Sequence, residues 1–175
     1  MNLRIPSQIK NKLKSLIGDK EILDIVLFGS TIRGKSIPRD IDIALITNKN
    51  ISPIIKGFHI SIIKPEEFFK SPPTIATTLL REGFSLKKNR FLAETLNFKN
   101  KILFIYILSN LNLSKKVKIV NILRGKNKQQ GLVEQYKGEW LANQVFITPI
   151  ESSHTFEQFF LNLKIKFKKY YILIY

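Results

Sequence analysis

Two apolar runs meet across a glycine-serine break between Leu27 and Ile46, and this pairing constrains the fold more than any other part of the chain. The first run, Ile25-Val26-Leu27-Phe28, stops at Gly29-Ser30. The second carries Asp40-Ile41-Asp42 and continues to Ile46. Short apolar runs bounded by turn residues read as strands. Side chains alternate along a strand, which predicts Asp40 and Asp42 on one face and Ile41 and Ile43 on the other. Two carboxylates on one half-buried face repel each other and resist desolvation. A divalent cation relieves both costs, so charge logic alone makes Asp40 and Asp42 candidate metal ligands.

The rest of the chain supplies elements to pack around these strands. Residues 6–18 carry an apolar stripe of Ile9, Leu13, Leu16 and Ile17 among lysines, the pattern of an amphipathic helix. The segment from Glu21 to Phe28 reads as a first strand and Asp40 to Ile46 as a second. Phe58 to Ile63 alternates apolar and polar residues and reads as a third. Helices are expected after Pro65 and over 72–80. The stretch 89–108 fits helix or mixed structure equally. Ser114 is expected to cap a basic helix through Leu123. Val145–Thr148 reads as a strand, Thr155–Leu163 as a helix and Tyr170–Tyr175 as a final strand. The alternation of Lys164, Lys166 and Lys168 with Ile165 and Phe167 also suits a strand. The expected class is α/β or α+β, a mixed sheet flanked by helices. An N-terminal domain over 1–110 would be followed by a small basic α+β region over 111–175.

Composition narrows the partners. The 175 residues hold 29 Lys and Arg against 13 Asp and Glu, a formal charge of +16, with no acid between Asp42 and Glu66. Such an excess attracts polyanions. The chain has no cysteine and only two histidines, which excludes disulfides and thiolate metal sites and argues against zinc. No apolar run approaches the roughly 20 residues of a membrane span. The N-terminal stretch lacks the apolar core of a signal peptide. The expectation is a cytoplasmic protein that does not enter a membrane.

Gly29-Ser30, a nine-residue gap, and Asp40-Ile41-Asp42 between apolar strands together resemble the signature of the DNA polymerase β-like nucleotidyltransferase superfamily, most closely its small, minimal archaeal and bacterial members. The resemblance covers roughly residues 5–90 and includes Arg81-Glu82-Gly83, similar to a segment those proteins carry after the third strand. It implies a fold of the nucleotidyltransferase type and transfer of a nucleoside monophosphate from a nucleoside triphosphate to a hydroxyl acceptor. Gly29 would let a phosphate approach the backbone. Ser30 would donate to a phosphate, and Arg33 would bind phosphate oxygens with its planar fork, helped by Lys35. Asp40 and Asp42 would hold Mg2+ or Mn2+.

The pattern departs from that family on the third strand. Active members usually place a third carboxylate there, whereas Gly57-Phe58-His59-Ile60-Ser61-Ile62-Ile63 contains no acid. Three readings stay open: His59 acts as base or metal ligand, Glu66 reaches in from beyond Pro65, or the position is lost and the protein binds nucleotide without turnover. In the C-terminal half, Lys115, Lys116, Lys118, Arg124, Lys126 and Lys128 form a basic block. The glycine-bounded loop from Arg124 to Gly131 is the expected contact, with Arg124, Lys126 and Lys128 on nucleic-acid phosphates. Minimal family members also act as antitoxins, so a protein partner is a further expectation from the resemblance.

Overall fold

The computed structural model describes residues 5–34, 40–127 and 129–175. They form two compact units, one running to Lys99 and including Tyr175, the other Asn100–Ile174. In chain order the first unit contains α1 (Ser7–Lys12), α2 (Lys14–Gly18), β1 (Ile22–Phe28), β2 (Ile41–Thr47), β3 (Phe58–Ile63), α3 (Glu67–Lys70), α4 (Thr74–Glu82), β4 (Phe84–Ser85) and β5 (Arg90–Phe91). The single helix expected over 6–18 is divided at Leu13, a residue with no exposed surface.

The first sheet is mixed, in the order β3-β2-β1-β4-β5. β1 runs antiparallel to β2 and β4, and β2 runs parallel to β3. Both faces of the central strands are covered, which is why β1 reads as a continuous apolar run rather than an alternating one. On one face Val26, Phe28, Ala44, Ile63 and Leu79 form a cluster, with Phe68 and Ile75 packed against it. The other set, Ile25, Leu27, Ile43 and Leu45, is fully buried. Each such side chain contributes about 1.5–3 kcal/mol through burial.

The second unit is built on β6 (Lys99–Ile107), α5 (Leu113–Arg124), α6 (Leu132–Gln135), β7 (Glu139–Ala142), β8 (Val145–Pro149), α7 (Ser153–Asn162) and β9 (Lys166–Ile174). Its sheet has the order β7-β8-β6-β9 and is antiparallel. Aromatic rings fill its core. Phe146 lies 5.3 Å from Phe104 and 4.8 Å from Phe156, and Phe160 lies 5.9 Å from Phe104, all four fully buried. The molecule is therefore α+β, with one mixed and one antiparallel sheet. The division of units falls between Lys99 and Asn100 rather than near 110, because β6 sits inside the second sheet and delivers Phe104 to that core.

Two local features of this unit matter below. Asn112, not Ser114, caps α5: its side chain accepts from the Lys115 amide at 2.9 Å. The loop after α5 is closed by two glycines in direct backbone contact. A Cβ on Gly125, whose φ is +89°, would collide with the Gln129 carbonyl and the Gly131 amide, and one on Gly131 would collide with the Leu123 carbonyl. No helix among the described residues is long and apolar enough to cross a membrane.

Candidate functional site

Strand register brings three predicted residues to one end of the first sheet. Phe28 pairs with Asp42 across the antiparallel ladder, so the Gly29 turn begins beside that aspartate. Asp42 in turn pairs with His59 on the parallel strand. Gly29 has a φ of +77°, and a Cβ there would stand 2.6 Å from Asp42 Oδ2. Backbone conformation and close approach thus both require glycine. The other carboxylate oxygen, Oδ1, lies 3.4 Å from His59 Nδ1, with the two side chains 32% and 75% exposed. When Asp42 is ionised it only accepts, so this contact favours the tautomer with hydrogen on Nδ1 and leaves Nε2 as the basic nitrogen.

Asp40 immediately precedes the second of these strands. It lies in an exposed bend, and β2 begins at Ile41, which donates to the Gly57 carbonyl at 3.1 Å. Asp40 is thus an exposed residue just ahead of the ladder rather than a member of it, where its carboxylate keeps its hydration. Among the described residues no group of three or more His, Cys, Asp and Glu side chains is placed to hold a metal ion. Magnesium, however, is commonly held by one or two carboxylates completed by water and phosphate oxygens. Asp42, with one oxygen over a glycine that leaves the space beside it clear, and Asp40 at the strand entrance supply donor chemistry that fits such an ion.

Ser30 sits in a single turn of 3-10 helix, Gly29–Thr31, where the amides of Ile32 and Arg33 both return to the Gly29 carbonyl. Buried Ile32 anchors the turn. Thr31, one residue on, has a buried hydroxyl oxygen with no hydrogen-bond partner among the described residues. Arg33 is directed to Glu82 at the end of α4, Nη1 to Oε2 3.9 Å, with side chains 36% and 3% exposed. Glu82 stands out in the sequence only as part of Arg81-Glu82-Gly83, and its pairing with Arg33 is what sequence reasoning missed. Its Oε2 is buried without a hydrogen-bond partner among the described residues, and the guanidinium at 3.9 Å is the charge that faces it, so removing Arg33 would leave a buried acid uncompensated. Of the two acids after Pro65, Glu66 accepts from Lys70 at 3.0 Å and Glu67 from the Lys64 amide at 3.1 Å. Lys35 lies outside the described residues.

Two of the three residues expected to contact nucleic acid lie among the described residues. Arg124 lies over the Trp140 ring at 4.0 Å, and its Nη2 donates toward the Ala142 carbonyl at 3.5 Å and Asn143 Oδ1 at 3.4 Å. It packs its own unit. Trp140 is half-buried and stands 5.3 Å from Phe146, as a core residue rather than an open platform. Lys126 is exposed on the loop, and Lys128 lies outside the described residues. Compared with models of known families, with curated proteins and with solved structures, the chain matches none, so the functional reading rests on its own residues.

Proposed function

We propose that the first unit binds a nucleoside triphosphate with a divalent cation, Mg2+ or Mn2+, and transfers its nucleotidyl group to a hydroxyl acceptor on a nucleic acid. One observation carries this reading: Asp42 is held between a glycine turn and an imidazole, Gly29 on one side and His59 Nδ1 at 3.4 Å on the other. It agrees with the resemblance to polymerase β-like nucleotidyltransferases. Asp42 and Asp40 would hold the ion, which when bound neutralises the triphosphate and favours in-line loss of pyrophosphate. Gly29 keeps the space beside the carboxylate open. Ser30 offers a hydroxyl donor to phosphate, and Arg33 is steadied by Glu82 while part of its fork stays exposed. His59, with Nδ1 turned to Asp42, presents Nε2 to take the proton of the attacking hydroxyl.

A second reading, nucleotide binding without turnover, is favoured by the absence of any carboxylate on β3 beside Asp42. Incubation of the protein with α-labelled nucleoside triphosphates, Mg2+ or Mn2+, and short RNA or DNA separates the two. Transfer of label that is abolished in Asp42→Asn and reduced about 10²–10⁴-fold in His59→Ala supports the transferase reading. Metal-dependent nucleotide binding without transfer supports the second. Absence of both, or transfer unchanged in Asp42→Asn, defeats the assignment.

A further inference from the structure

The outward side of α5 is basic, and we propose that it holds a single phosphodiester strand of nucleic acid by its backbone. The helix buries Ile119 and Leu123 and turns Ser114, Val117, Lys118 and Asn121 outward at helical spacing. An open hollow of about 500 Å³ separates this face from the following loop, where Lys126, Gln129 and Gln130 form the opposite wall. On the other flank, a hollow of about 340 Å³ is bounded by Lys115, Lys118 and Lys164 over Leu163. Lys118 and Ile122 line both, so the two hollows adjoin along one ridge.

Charge is the first argument. Among the described residues, Lys115, Lys118, Lys126 and Lys164 have no carboxylate partner, whereas Lys169 of the same unit is paired with Glu157 at 2.7 Å. From Thr95 to Val133 the chain contains no Asp or Glu. An uncompensated lysine row along a hollow attracts a chain of phosphates.

The neutral groups point the same way. Ser114, Asn121, Gln129 and Gln130 offer donors for phosphate and sugar oxygens without adding charge. Between the lysines lie Val117, 50% exposed, and Ile122, 38% exposed. An aliphatic floor suits the faces of unpaired bases and has nothing to cover on a free phosphate or on a duplex, whose bases are stacked inside. No aromatic ring lines either hollow, so base faces meet only aliphatic carbon, the lysines hold the strand by its phosphates, and the contact is indifferent to sequence. Arg124 takes no direct part, since its fork faces Trp140 and the Ala142 carbonyl.

This site lies wholly within the second unit and does not depend on the nucleotidyl reading. The test is fluorescence anisotropy of the full chain with a short labelled single strand of mixed sequence, in EDTA and without nucleoside triphosphate. With four lysines on phosphates, log Kd should change against log salt with a slope of magnitude roughly 3, about fiftyfold weaker binding from about 50 to about 200 mM. Lys118→Glu with Lys126→Glu should weaken binding about a hundredfold. Lys20→Glu with Lys64→Glu, an equal change of net charge on exposed residues of the first unit, should cost less than about threefold. If the far-UV spectrum of the charge-reversed pair is lost, Lys118→Gln with Lys126→Gln replaces it, with a loss of about tenfold expected. Equal losses from the two pairs, a slope of magnitude below about 1, tighter binding to duplex than to single strand, or preference for anionic lipid vesicles would each overturn the proposal. Asp42→Asn should bind the strand as tightly as the parent, so a failed transferase assay and a failed strand site are told apart.

Discussion

At Gly29 the hydrogen that stands where other residues carry a side chain decides whether Asp42 keeps its place. Gly29→Ala forces both a left-handed φ on alanine and a contact with Asp42 Oδ2 at 2.6 Å. The expected loss of stability is about 2–3 kcal/mol. In an Asp42→Ala background the oxygen is gone, and the same substitution should cost only about 1 kcal/mol. Urea denaturation of the four proteins of this cycle measures both figures, and equal costs in the two backgrounds would show that the contact carries no strain. Gly29, Asp42 and His59 were legible in the sequence because each lies at the end of a strongly apolar strand whose register follows from its neighbours. The pairing of Glu82 with Arg33 was not, although Arg81-Glu82-Gly83 stood out, because the two meet only once α4 has folded back on the sheet. The packing of Arg124 was hidden for a similar reason. Its stacking partner, Trp140, is remote in sequence, so the residue read as a loop cation set to contact nucleic-acid phosphates.

Elements were legible where polarity alternates or where an apolar run is bounded by turns, as in β1, β2 and β3. β6 escaped because both of its faces are apolar: buried Ile102, Phe104 and Tyr106 alternate with Leu103, Ile105 and Ile107, so no period of two shows in the polarity. Its Tyr106 gives a test of that burial. Burial raises the phenol above its ordinary value, opposed in part by the positive charge of Arg124. A folded pKa above the unfolded one stabilises the protein fully below about pH 10 and loses that contribution as pH rises through the folded value. Tyr106→Phe should therefore show a flatter decline of stability over the alkaline range, measured by denaturation at stepped pH. An unchanged decline would place the phenol in water. For α5, the observed cap predicts that Asn112→Ala costs about 1 kcal/mol while Ser114→Ala costs a few tenths at most. Thermal melts of the two variants discriminate directly.

Across the whole molecule, net charge and the presence of two cores set the response to conditions. A formal charge of +16 on 175 residues makes the folded state self-repelling. Raising monovalent salt from about 0.02 to about 0.3 M shortens the screening length to well under 10 Å. This should stabilise the protein by about 1 kcal/mol, a rise in Tm of roughly 3 °C. A fall in Tm over that range would mean that attractive ion pairs outweigh the repulsion. The sequence announced the excess of positive charge but not where it lies uncompensated. That depended on which lysines the few acids reach, and Glu157 reaches Lys169 while none reaches Lys118. The contact between Gly125 and Gly131 has a consequence of another kind. Because two glycines bring the ends of the loop close together, the segment between them leaves and re-enters the fold at nearly the same place. Its length can change at a closure cost of only about 0.6 kcal/mol per doubling. The chain therefore carries a natural port at 126–130, where a short foreign peptide could be spliced in with both glycines kept and the hydrophobic interior left undisturbed.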